Sequence, residues 1–141
     1  GIEKLLIPPH AGVGSAIGFL RAPAAYEAIR SHHLPMEEFN SYDANLVLAE
    51  LTEEACSFVK QVTADNSRLI TQRWAYMRYV GQGWEIPVEL GSEPFDLLGH
   101  ELLSNLFIKA YEEFFGRAIE NLAIEAVSWA VRVSTPLSEI K

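Results

Sequence analysis

The stretch Leu69-Ile-Thr-Gln-Arg-Trp-Ala-Tyr-Met-Arg-Tyr-Val-Gly-Gln-Gly-Trp-Glu-Ile-Pro-Val-Glu-Leu90 decides the fold class. Its second half alternates, with Trp84, Ile86, Val88 and Leu90 on one side of an extended chain and Glu85 and Glu89 on the other. Successive side chains of a strand point to opposite faces, so this pattern describes a strand with one dry and one wet face. Gly81-Gln82-Gly83 stands where the chain would reverse. The segment reads as a β-hairpin.

C-terminal to it, Leu103, Leu106, Phe107, Ala110, Tyr111 and Phe114 recur at helical spacing between Pro94 and Phe115. Gly116 follows where a helix end commonly needs a left-handed residue. From Leu122 to Val133 the chain alternates again, Val127, Trp129, Val131 and Val133 against Ser128, Ala130 and Arg132, which predicts a last strand before Pro136.

N-terminal to the hairpin, Leu48, Leu51, Ala55, Phe58 and Val62 mark one face of a helix running from about Tyr42 to Val62. Tyr26 and Ile29 give Ala24 to Ser31 a helical spacing, closed by the linker His32-His33-Leu34-Pro35. Further back, Ser15 is placed to cap a helix through Ala16, Phe19 and Leu20, and Leu5-Leu6-Ile7 reads as a short buried strand stopped by Pro8-Pro9. The order is helix, helix, hairpin, helix, strand. That is an α+β fold, with a short antiparallel sheet of hairpin plus C-terminal strand packed with about three to four helices.

The chain is 141 residues long and 49% hydrophobic, enough for one domain with a real core. Its net charge of −8 repels nucleic-acid backbones and anionic lipid, so neither is an expected partner. Cys56 is the single cysteine and sits in a helical pattern, where a buried inert thiol is expected rather than a nucleophile. The sequence shows no signal-peptide pattern and no apolar run long enough to span a membrane, making the cytoplasm the default location.

The chemistry-bearing residues form no complete site. Zinc needs three or four converging ligands, whereas His10, His32, His33 and His100 are scattered; no metal site is expected, and His32-His33 read as a solvated pair. No Gly-x-Ser-x-Gly elbow occurs. Gly12-Val-Gly-Ser-Ala-Ile-Gly18 misses the dinucleotide spacing by one residue, although it does follow an apolar strand pattern. It reads either as a close-packing helix entry or as a helix N-terminus facing a ligand or an adjoining domain. In the hairpin, Arg73, Arg78, Tyr79, Gln82 and Glu85 lie close together. Arg78 is suited to clamp a carboxylate or phosphate, or to pair with Glu85 across the turn. Trp74, Tyr76, Trp84 and Trp129 read as core aromatics.

Two stretches, Leu6-Ile-Pro-Pro-His-Ala-Gly-Val-Gly-Ser-Ala-Ile-Gly-Phe-Leu20 and Met77-Arg-Tyr-Val-Gly-Gln-Gly-Trp-Glu-Ile86, resemble signature segments of the hydantoinase A/5-oxoprolinase family. Tyr111-Glu-Glu-Phe-Phe-Gly116 and Val127-Ser-Trp-Ala-Val-Arg132 are similar to two further segments in the same order. The resemblance implies a parent enzyme that uses ATP and a divalent metal to activate the carbonyl of a cyclic amide or a ketone. Its nucleotide site would lie in an actin-like region, of which residues 1–20 would be the end or a connector, with residues 21–141 as the C-terminal domain. The fragment itself would hold no cofactor and would be inactive alone. The implied partners are the missing ATP-binding region, a second hydantoinase B-like subunit or domain, and further copies of the chain.

Carried over residue by residue, the candidates are Arg78, Tyr79, Gln82 and Glu85 on the catalytic side and His10, Gly12 and Ser15 on the cofactor side. Trp84 stands where family members often carry histidine. Three functions remain open: a domain of a cyclic-amide hydrolase of N-methylhydantoinase or 5-oxoprolinase type, a structural assembly domain of an acetone or acetophenone carboxylase-type subunit, and a self-sufficient small-ligand module.

Overall fold

The computed structural model describes Gly12, residues 22–63 and residues 68–136. Within these, the chain runs β1 (Ala25–Pro35), a 3-10 turn (Met36–Glu38), α1 (Ser41–Val62), β2 (Ile70–Tyr79), β3 (Ile86–Leu90), α2 (Gly99–Phe115) and β4 (Ile124–Ser134). The strand expected at Gly1 to Ile7 and the helix expected after Ser15 lie outside the described residues.

The four strands form one sheet in the order β1-β4-β2-β3, every neighbouring pair antiparallel. Each helix joins two parallel strands that have one antiparallel strand between them, so the chain is two split βαβ units sharing a hairpin. The α+β class and the antiparallel sheet are as the sequence predicts. The described residues hold two α-helices, fewer than the three to four expected. The shortfall is at Ala24 to Ser31, which is not a helix but most of β1. Its alternation is masked because the side toward α1 carries Tyr26, Ala28 and Arg30, with Arg30 ion-paired to Glu50 and Glu54, while Ile29 points away and is 57% exposed. Tyr26 stacks on Phe58 of α1, ring centroids 4.3 Å apart.

The remaining elements follow their periodicity. Asn40 caps α1 by accepting from the Tyr42 N–H at 2.9 Å. The helix buries Ala44, Val47, Leu48, Leu51, Ala55 and Val59 against β1 and β4. Helix α2 begins at Gly99, five residues later than the Pro94 of the sequence pattern, because Asn45 holds residue 95 in a loop. Its side-chain amide donates to the Phe95 carbonyl and accepts from the Phe95 N–H, both at 2.8 Å. Gly116 ends α2 at φ 83°, in the left-handed region.

Alternate residues of the sheet, Ala75, Met77 and Tyr79, Ile86, Val88 and Leu90, and Trp129, Val131 and Val133, are buried beneath the helices. Tyr79 meets Phe107 and Tyr111 of α2 edge-on, each with centroids 4.9 Å apart. Trp84 departs from its expected place on this buried side. Strand β3 starts only at Ile86, and Trp84 in the preceding turn is 72% exposed. Cys56 is half-buried against the core rather than enclosed. Among the described residues no helix is long and apolar enough to cross a membrane.

Candidate functional site

The hairpin turn is built by its glycine. The Gln82 N–H donates to the Tyr79 carbonyl at 3.0 Å, and Gly81 between them has φ 89°, the third-position conformation of a type II turn. The Gln82 side-chain amide then donates to the Tyr111 hydroxyl at 3.2 Å. Gln82, Gly83, Trp84, Tyr111 and Phe115 line a shallow, largely apolar groove at this end of the domain.

The four catalytic-side candidates do not converge. Tyr79 is 1% exposed, and its hydroxyl accepts from the Ile119 N–H at 3.0 Å, so it is a core residue tying down the loop after α2. Gln82 braces the turn against α2. Glu85 is half-buried and makes no ion pair with Arg78. Arg78 instead reaches Glu125 on β4, its neighbour in the ladder, with Nε donating to Oε1 at 2.7 Å. The cross-strand partner lies on the other side of β2 from the one the hairpin suggests. Arg73, the fifth polar residue of the hairpin, donates to the carbonyls of Gly91 and Glu93 and so pins the loop that leads to α2. Burial lowers its pKa from the usual arginine range.

Glu125 is the buried charged residue among the described ones, 6% exposed. Its second oxygen is held by His33, Nε2 to Oε2 at 2.6 Å. The hydrogen bonds from His33 and then Arg78 hold its carboxyl below the usual carboxylate range. An ionised carboxylate only accepts, so Nε2 of His33 carries the proton of this bond. His33 is therefore no member of a solvated linker pair: it is a β1 residue tied to β4.

Two ladder irregularities create this row. The β1–β4 register shifts between Ser31 and Leu34, and the β2–β4 register shifts between Tyr76 and Met77. Both fall at Val127, and such bulges re-aim neighbouring side chains. His33, Glu125 and Arg78 come to lie side by side across three strands, on the face turned away from the helices. The Trp129 indole donates to the His32 carbonyl at 2.9 Å and so fixes the bulge from the core side. The sequence carries one sign of this cluster, a glutamate set inside the apolar run Ile124-Glu-Ala-Val127, but not its partners.

On the cofactor side, His10 and Ser15 lie outside the described residues, and Gly12 is exposed. Among the described residues no three His, Cys, Asp or Glu converge as a metal site would require.

No family model and no curated protein matches the chain. Solved structures do, and two of them cover most of it. A nucleotide-free acetone carboxylase superposes on 93% of this chain with a TM-score of 0.78 at 18% identity. An ATP-dependent caprolactamase from Pseudomonas jessenii superposes on 89% with a TM-score of 0.75 at 20% identity. Both enzymes belong to the hydantoinase/oxoprolinase family. The fold is one that this family contains. The chain spans about a fifth of each enzyme, 20% of the first and 19% of the second.

Proposed function

We propose that this chain is the C-terminal domain of an ATP-dependent enzyme of the hydantoinase/oxoprolinase family. The observation that carries the reading is the coincidence of two independent likenesses. The sequence segments resemble the family in order along the chain, and the fold superposes on two of its members over nearly the whole domain. The share of those enzymes that the chain spans leaves most of the parent, its ATP-binding region included, to other parts of the protein.

Among the described residues no three His, Cys, Asp or Glu come together. In this reading ATP and its divalent metal belong to the actin-like region, residues 1–20 connect to it, and residues 21–141 shape the substrate side or a subunit interface. The parent reaction we favour is hydrolysis of a cyclic amide, since a lactam, which the caprolactamase name specifies, is one. Carboxylation of a ketone is the second reading, favoured by the likeness to acetone carboxylase. A hydantoinase B-like second subunit is the partner proposed for either.

The test is the parent protein assayed for ADP release with hydantoin, 5-oxoproline or caprolactam, and separately with acetone and bicarbonate. Turnover of a cyclic amide with none by the isolated chain is the expected result. A parent without an actin-like ATP-binding region would end the reading, and turnover only of a ketone with bicarbonate would replace the hydrolase by the carboxylase.

A further inference from the structure

The row His33–Glu125–Arg78 does more than neutralise a buried carboxylate. Arginine can engage a carboxylate through its Nε side or through the fork of its two terminal nitrogens. Here Glu125 takes Nε. The terminal fork has no partner among the described residues, and the Arg78 side chain is 30% exposed. His33 is anchored in the same way, through Nε2 to the other carboxylate oxygen, with its side chain 55% exposed. One buried carboxylate thus fixes the orientation of both side chains, and the Arg78 fork is the part left with unused donors.

Fixing an arginine fork in advance removes much of the rotamer entropy that an exposed arginine loses on binding. The next row of the same face holds Ser31, Ser128 and Tyr76, aligned in the ladders, with Trp74 one step beyond; Tyr76 and Trp74 are half-buried. A hydroxyl-bearing, partly aromatic floor beside a fork suits an organic anion. We infer that this row is an oxyanion-binding site, in which the Arg78 fork grips a carboxylate or phosphate and Glu125 acts as the positioning residue for Arg78 and His33. The site is a shallow one on an open sheet face, so free anions bind at about millimolar strength. The inference stands on these side chains alone and does not depend on the parent reaction.

The experiment is titration of the chain with inorganic phosphate and, separately, with benzoate, followed by the NMR signals of the Arg78 Nε–H and the His33 ring. Saturable shifts confined to this row are expected, and the anion with the lower Kd names the ligand class. Arg78→Lys keeps the charge and loses the fork, and should weaken binding about tenfold. Arg132→Ala removes a charge from the same face without touching the row, and should change Kd by less than about twofold. If Arg78→Lys proves unfolded by near-ultraviolet circular dichroism, His33→Gln replaces it and should weaken binding about threefold. Absence of saturation with both anions, unaltered Kd in the row variant, or an equal loss in Arg132→Ala would overturn the inference.

Discussion

Replacing Arg78 by methionine tests the electrostatics of the sheet face through stability alone. Methionine keeps much of the aliphatic stem but leaves Glu125, with its side chain 8% exposed, facing only His33. Breaking a fully buried pair costs about 3–5 kcal/mol, and losing a charge-assisted hydrogen bond costs about 1.5–3 kcal/mol. Arg78 is 30% exposed, so water partly replaces it and the lower range applies. We expect about 2 kcal/mol at pH 7, or roughly 6 °C in Tm.

The pH dependence fixes the cause. Because the folded pKa of Glu125 lies below its ordinary value, its contribution is complete above the ordinary glutamate pKa of about 4.3 and is lost as pH falls from there toward the folded value. In the variant the folded pKa moves back up and the contribution shrinks. The gap between the two proteins, measured by urea denaturation from pH 7 to pH 3, must therefore narrow on the acid side. A gap of the same size at both ends, or none at pH 7, would refute the argument.

Other substitutions probe the core and the turns. Phe107→Ala empties a fully buried position that Tyr79 meets edge-on, and should cost about 3–5 kcal/mol in chemical denaturation. Gly99→Ala places a methyl 2.7 Å from Ser41 Oγ and 2.9 Å from Phe95 Cβ, so a drop of about 1–3 kcal/mol is expected despite the better helix former. Tyr79→Phe leaves the Ile119 N–H without its acceptor and should cost about 1 kcal/mol while leaving anion titrations unchanged. His32→Leu should be neutral or stabilising in the same assay, because His32 Nε2 is buried without a partner and the Trp129 bond goes to the His32 main chain.

How legible the fold was depended on how local its cause is. Helix α1 and strand β3 carry their patterns within a dozen residues, and Gly116 announces its own conformation. Strand β1 does not. Among the described residues it is an edge strand whose inward side includes Arg30, paired with glutamates of a helix that begins eleven residues later in the chain, and its ladder partner β4 lies about a hundred residues away. The same distance hid the site. Arg78 and Glu85 are neighbours across a turn and pair readily on paper, whereas Glu125 becomes the neighbour of Arg78 only once the strand order is known. His33 needed the bulge as well: it lies within the register shift between Ser31 and Leu34, and reaches Glu125 although the ladder partner of Glu125 on β1 is Pro35. Tyr79 stands beside Arg78 in sequence but faces the opposite side of the sheet, in the core.

The strand order has a consequence for how the domain is made. Among the described residues β4 comes last in sequence yet sits between β1 and β2, so β1 meets this neighbour only once residues 125–134 have been made. On a ribosome, α1 and the β2–β3 hairpin can form early, but β1 must wait for β4, which is made after both. During that interval it offers a free edge to other nascent chains. A chaperone that shields it would change the yield of folded protein without changing its stability.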